Sequence, residues 1–135
     1  MKATILDAFA LLAYVRGEPA ADGVSALLAA ASDSRTPLLM TVVNLGEVYY
    51  TVRRRHGASV QDEVERRVRQ LPIRIVDADE PMAKVAARFK ATRPMSYADC
   101  FAAALAKQRK GRVVTGDPEF RAVEDEIEIL WLPGA

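Results

Sequence analysis

Four acidic residues in this chain of 135 residues stand where charge can do chemistry: Asp7, Glu47, Asp99 and Asp117. Asp7 follows the apolar run Thr4-Ile5-Leu6. Glu47 closes Asn44-Leu45-Gly46-Glu47 after a second such run, Asp99 closes Ser96-Tyr97-Ala98-Asp99, and Asp117 follows Thr115-Gly116. Each has an ordinary explanation when taken singly. Asn44-x-x-Glu47 and Ser96-x-x-Asp99 resemble capping boxes, Asp117-Pro118 resembles an N-cap followed by a first-turn proline, and Asp7 can cap the first helix. The helix dipole favours acids at such places by about 0.3–1 kcal/mol each. As a set they are harder to explain. Two carboxylates about 4 Å apart repel by roughly 4 kcal/mol at an effective dielectric constant of about 20, more than a cap returns. No Lys or Arg lies within a helical turn of Glu47 or Asp99. A hard divalent cation with oxygen ligands, Mg²⁺ with Mn²⁺ as a substitute, is the counter-charge that fits. Zinc fits less well, because the single cysteine and the single histidine have no ligand spacing. The segment QDEVERRVRQ makes a contrast. Asp62, Glu63 and Glu65 each precede an arginine by four residues (Arg66, Arg67 and Arg69), which predicts self-neutralising pairs on an exposed helix.

These acids need elements to position them. Short runs rich in Val, Ile and Leu at residues 3–6, 38–43, 73–76, 112–115 and 127–132 read as strands buried on both faces. Between them lie helical stripes: Val24, Leu27, Leu28 and Ala31; Leu45, Val48, Tyr49 and Val52; Val60, Val64 and Val68; Met82, Val85, Ala86 and Phe89; and Ala98, Phe101, Ala102, Leu105 and Ala106. Alternating strands and helices predict an α/β fold: a mostly parallel five-stranded sheet with helices on both faces, about five to seven in all. No repeat, low-complexity tract or linker interrupts residues 1–135, so a single domain is expected. In such open sheets the functional crevice lies beyond the carboxyl ends of the strands. That places Asp7 and Asp117 directly after strands, and Glu47 and Asp99 in the first turns of helices.

Composition narrows the class. Half the residues are hydrophobic, 27% are charged and the net charge is +1, so nothing announces a nucleic-acid binder, and a local basic groove stays open. Cys100 has no partner for an internal disulfide and reads as a small buried side chain. His56, after Arg53-Arg54-Arg55, reads as a surface histidine at a helix end. Asp7 interrupts the apolar start, and no apolar run reaches the ~18 residues needed to span a membrane, so a cytoplasmic protein is expected. Arg53, Arg54, Arg55, Lys84, Arg88, Lys90 and Arg93 read first as solvated faces and second as contacts for phosphates. Leu12, Tyr14, Tyr49 and Tyr50 read as core first and as an apolar groove for a partner second. A phospho-acceptor receiver domain shares the fold class, but Asp7 has no adjacent acid and Trp131-Leu132-Pro133 supplies no lysine.

The ordered set Asp7, Asn44-Leu45-Gly46-Glu47, Ser96-Tyr97-Ala98-Asp99 and Thr115-Gly116-Asp117-Pro118-Glu119-Phe120 resembles the PIN domain family, and in particular the single-domain VapC toxins of toxin–antitoxin pairs. The resemblance spans almost the whole chain. It implies a three-layer α/β/α fold and a Mg²⁺- or Mn²⁺-dependent endoribonuclease. Asp7, Glu47, Asp99 and Asp117 would be its catalytic and metal-binding acids, with Thr115 in support through its hydroxyl. It further implies RNA as substrate, a VapB-type antitoxin partner and a homodimer. Other readings of the same resemblance are a catalytically silent module that binds RNA or protein, and a housekeeping RNA-processing nuclease. The pattern departs in one place. Ala8 follows Asp7 where the family usually carries Ser or Thr, which removes a hydroxyl from beside the first acid.

Overall fold

Each apolar run becomes a parallel strand: β1 (Thr4–Leu6), β2 (Leu38–Thr41), β3 (Ile73–Val76), β4 (Arg112–Thr115) and β5 (Glu128–Trp131). Between them run α1 (Ala8–Arg16), α2 (Ala21–Ser34), α3 (Val42–His56), α4 (Ala58–Arg69), α5 (Glu80–Thr92), α6 (Tyr97–Arg109) and a 3-10 helix (Pro118–Val123). This computed structural model describes residues 2–133. The strand order is β3-β2-β1-β4-β5, and every neighbouring pair is parallel. The chain winds outward from β1 to β3, then crosses back to β4 on the other side of β1. Right-handed crossovers put the helices of the two directions on opposite faces of the sheet.

The side chains follow this winding. Leu6, Leu38 and Val114 face a core made with α1 and α2, and Met40 on the same side meets α1, α3 and α4. Ile5, Leu39 and Val113, one residue out of phase, face α5 and α6. The result is the expected three-layer α/β/α arrangement. Helix α6 is more than amphipathic. Every residue from Asp99 to Ala106 is buried, because its alanines let the helix lie close on the sheet while α5 and α3 cover its other sides. Gly111, between α6 and β4, is held as closely. A Cβ there would lie 2.4 Å from the Ala3 carbonyl oxygen. Gly111→Ala should therefore cost about 1–3 kcal/mol, the scale of overpacking, read as a lower midpoint in urea unfolding.

Three expectations need correction. β2 stops at Thr41 rather than at residue 43, because the Thr41 hydroxyl accepts the Asn44 N–H (3.1 Å) and starts α3 there. Glu47 is therefore the sixth residue of α3, in its second turn, and Thr41 rather than Asn44 is the cap. The ion pairs expected along α4 do not close within 4.0 Å among the described residues. Glu65 accepts from Gln61 instead, and the Arg67 guanidinium lies over the Tyr14 ring. Of the aromatic residues weighed as a groove, Tyr14 and Tyr49 pack against the core with Leu12, while Tyr50 is half exposed. His56 and Cys100 lie as expected, exposed at the end of α3 and buried in α6.

Candidate metal centre

The winding reverses between β1 and β4, and adjacent strands whose connections leave in opposite directions open a crevice at their carboxyl ends. Asp7 leaves β1 into this crevice and caps α1, with Oδ1 accepting the Ala10 N–H at 2.9 Å. Thr115 ends β4 beside it. Its hydroxyl donates to Asp7 Oδ2 and accepts the Asp117 N–H at 2.9 Å, so one hydroxyl joins the two strand ends. This bond supplies Asp7 with a hydroxyl partner from across the sheet, although Ala8 offers none. Asp117 caps the 3-10 helix through the Glu119 N–H (2.9 Å).

Asp99 enters from the other layer. Ser96 caps α6 by accepting the Asp99 N–H (3.2 Å), as a capping box requires. The return bond of that box is made by a different residue: Glu119 Oε1 accepts the Ser96 N–H at 2.6 Å. Asp99 is thereby released from capping, and its carboxylate accepts no hydrogen bond among the described residues. Asn44 ties Glu47's helix to Asp99's. It is fully buried, its Nδ2 donates to the Ala98 carbonyl at 3.0 Å, and its Oδ1 accepts from Thr41. Asn44→Ala should cost about 1–3 kcal/mol, because it strands the buried Thr41 hydroxyl. Thermal unfolding measures this.

Carboxylate oxygens of Asp99, Asp117 and Glu119 lie within 4.8 Å of one another. Glu119 was not among the acids singled out from the sequence. Its place two residues after Asp117 reads as a first-turn acid favoured by the helix dipole, and only the Ser96 contact across elements reveals it. Burial dominates the electrostatics. Asp7 and Asp99 are 1% and 5% exposed. Burial pushes the Asp7 carboxyl up to about 7, and the charges of Asp117 and Glu47 add to this against the Thr115 and Ala10 hydrogen bonds. Asp99 is pushed up to about 8 by burial and then by the charges of Asp7, Asp117, Glu119 and Glu47. Glu47 is raised by burial and by Asp117 and Glu119. Its Oε1 is buried with no hydrogen-bond partner. None of these five acids is in an ion pair with Lys or Arg within 4.0 Å among the described residues.

Three of the cations weighed on α5 and just beyond it are engaged elsewhere. Arg93 bridges Asp125 (2.6 Å) and Glu126 (3.1 Å), Arg88 reaches Glu126 (3.4 Å), and Lys90 donates to the Met95 carbonyl (2.7 Å). What remains is a crevice of oxygen donors with an unsatisfied buried carboxylate oxygen and no ion pair to a protein cation within 4.0 Å among the described residues. That donor set fits a hard divalent ion.

A parallel α/β sheet with acids gathered at its switch point defines a class of α/β proteins with an acidic crevice that could hold a divalent metal. The particular family follows from the sequence: the PIN domain model matches residues 4–126, and this chain belongs to the PIN domain family. Solved structures of the same fold include the DNA-bound VapBC of Salmonella typhimurium (18% identity, TM-score 0.79, covering 96% of this chain and 98% of that one). VapBC2 of Rickettsia felis, bound to a DNA fragment from its promoter, is similar at 12% identity and TM-score 0.78, over 96% and 98%. VapC20 of Mycobacterium tuberculosis, a toxin that cleaves the sarcin–ricin loop, is similar at 16% identity and TM-score 0.71, over 90% and 95%. No curated protein matches the sequence. No helix among the described residues is long and apolar enough to cross a membrane.

Proposed function

We propose that this chain is a metal-dependent endoribonuclease acting as the toxin of a VapBC-type pair: cytoplasmic, restrained by a VapB-type antitoxin, and homodimeric. The observation that carries the catalytic reading is the buried, unpartnered Glu47 Oε1 beside carboxylates that no protein cation neutralises. Similar folds crystallised as toxin–antitoxin complexes, and one described as an RNA-cleaving toxin, support the assignment to a toxin pair.

Asp7, Glu47, Asp99 and Asp117 would hold Mg²⁺, or Mn²⁺ in its place, and Glu119, grouped with Asp99 and Asp117, would join them. The ion, when bound, neutralises charge on the phosphate and lowers the pKa of the attacking water. The chain itself supplies alignment. Thr115 fixes the Asp7 carboxylate on one side and the Asp117 backbone on the other. The Ser96 N–H holds Glu119, and the Asn44 bridge keeps Glu47 and Asp99 in register. The single histidine sits exposed at the far end of α3, so no imidazole serves as base. Hydrolysis by water leaves the RNA 2′-OH out of the reaction. Cleavage products should therefore lack 2′,3′-cyclic phosphate ends, which mass spectrometry of a cut oligonucleotide would read. Cyclic ends would overturn this mechanism. Growth arrest on expression, relieved by a co-expressed antitoxin, separates the toxin from a housekeeping nuclease.

A further inference from the structure

Beside the acids, on the β5 side, lies a cavity of about 520 Å³, within the ordinary size of ligand pockets. Asp117 belongs to both this cavity's wall and the acid cluster, so the two adjoin. Its other walls are Phe9, Pro118, Leu132, Trp131 and Arg121. Phe9 packs close against Gly116, where a Cβ would lie 2.4 Å from the ring. Trp131 pairs in register with Thr115, which puts the indole one strand away from the hydroxyl that joins Asp7 and Asp117. The indole is 38% exposed, and its Nε1–H donates to Glu124 Oε2 at 2.9 Å. That bond uses the ring's only donor and fixes its plane, leaving the π-face available. Arg121 forms no ion pair within 4.0 Å among the described residues, unlike Arg88 and Arg93.

We propose that this cavity holds one unpaired nucleotide flanking the scissile phosphodiester of an RNA, its base stacked on Trp131 and its phosphate on Arg121. A flat aromatic face beside a free guanidinium is the chemistry that binds single-stranded nucleic acid. Asp117, shared by the cavity and the cluster, sets that nucleotide beside the phosphate at the acids. The occupant is a single-stranded segment, because a base paired in a helix cannot turn its face to a wall. This assignment rests on the nuclease reading above and adds to it a determinant of substrate choice.

Trp131 is the chain's only tryptophan, so its emission reports the cavity directly. The Asp99→Asn protein, used to prevent cleavage, is titrated in Mg²⁺ with a fluorescein-labelled single-stranded RNA octamer. Label anisotropy reads binding, and the unlabelled octamer is used to read tryptophan emission. Binding with concurrent quenching is expected. Adding Trp131→Ala should weaken binding about 5- to 100-fold, the range for losing one stacked base, while Trp131→Phe should retain most of it. Arg121→Gln should weaken binding and flatten its salt dependence. Octamer binding with unchanged emission and no effect of Trp131→Ala overturns the cavity assignment and leaves the nuclease reading standing. That result would point to a protein segment as the occupant. Absence of both octamer binding and wild-type cleavage overturns the two together.

Discussion

Asp99→Asn should abolish metal-dependent RNA cleavage while making the metal-free protein more stable. The two effects have one origin. Asp99 is buried, accepts no hydrogen bond among the described residues, and lies among the charges of Asp7, Asp117, Glu119 and Glu47. A folded chain gains nothing from that carboxylate unless a cation is present. Asn keeps the shape and the Ser96 cap, which uses the backbone N–H, and removes a charge the fold resists. Turnover should fall by about 100-fold or more, the scale of losing one preorganised electrostatic contact at a reacting phosphate. The melting temperature in EDTA at pH 8 should rise by several degrees, since about 1 kcal/mol moves it by ~2–8 °C in domains of this general size. Activity and stability moving in opposite directions separate a site acid from a helix cap, whose loss lowers both.

The second large effect is in pH. Burial pushes the Asp7 and Asp99 carboxyls up to about 7 and about 8, from the ordinary 3.8. Between these limits the folded chain keeps protons that the unfolded chain has released. Stability then falls as pH rises, because the unfolded state binds fewer protons. The stabilising share is complete below about pH 4 and is lost by the time pH passes 8. In EDTA the melting temperature should drop by about 5 °C or more from pH 5 to pH 8.5, measured by circular dichroism. Mg²⁺ or Mn²⁺ should reverse the drop at high pH and do little at pH 5, where binding must first expel protons. Asp99→Asn should flatten the profile. A wild-type curve in EDTA that rises across this range would contradict the raised pKa values.

Much of the fold was legible because its signals are local. Five apolar runs without strict alternation are what a parallel sheet covered on both faces requires, and all five are strands. The gathering of Asp7, Asp99 and Asp117 at one end was legible for the same reason: each sits where a strand ends or a helix begins. Less legible was whatever depends on contacts between elements. Glu119 carries no local signal beyond its place in a first turn, and only its bond to Ser96 ties it to the site. Asn44 looked like a cap until its amide crossed to Ala98. The α5 arginines looked free for phosphates, yet Arg88 and Arg93 are engaged by Glu126 at the end of the segment following the 3-10 helix. Arg121 drew no notice, since its value comes from the cavity it lines. In α4 the i to i+4 spacing permitted ion pairs, but exposed long side chains gain little from closing them, and other contacts prevailed.

The acid crevice should bind a divalent ion, and a Mn²⁺ titration followed by electron paramagnetic resonance measures that binding. Free Mn²⁺ gives a sharp six-line signal that binding broadens away. At pH 8 the wild-type chain should remove at least one Mn²⁺ per protomer from the free signal, Mg²⁺ should compete for it, and Asp99→Asn should bind far more weakly. Wild-type protein that leaves the free signal unchanged, or an Asp99→Asn protein that binds as tightly, would show that these carboxylates are not a metal site.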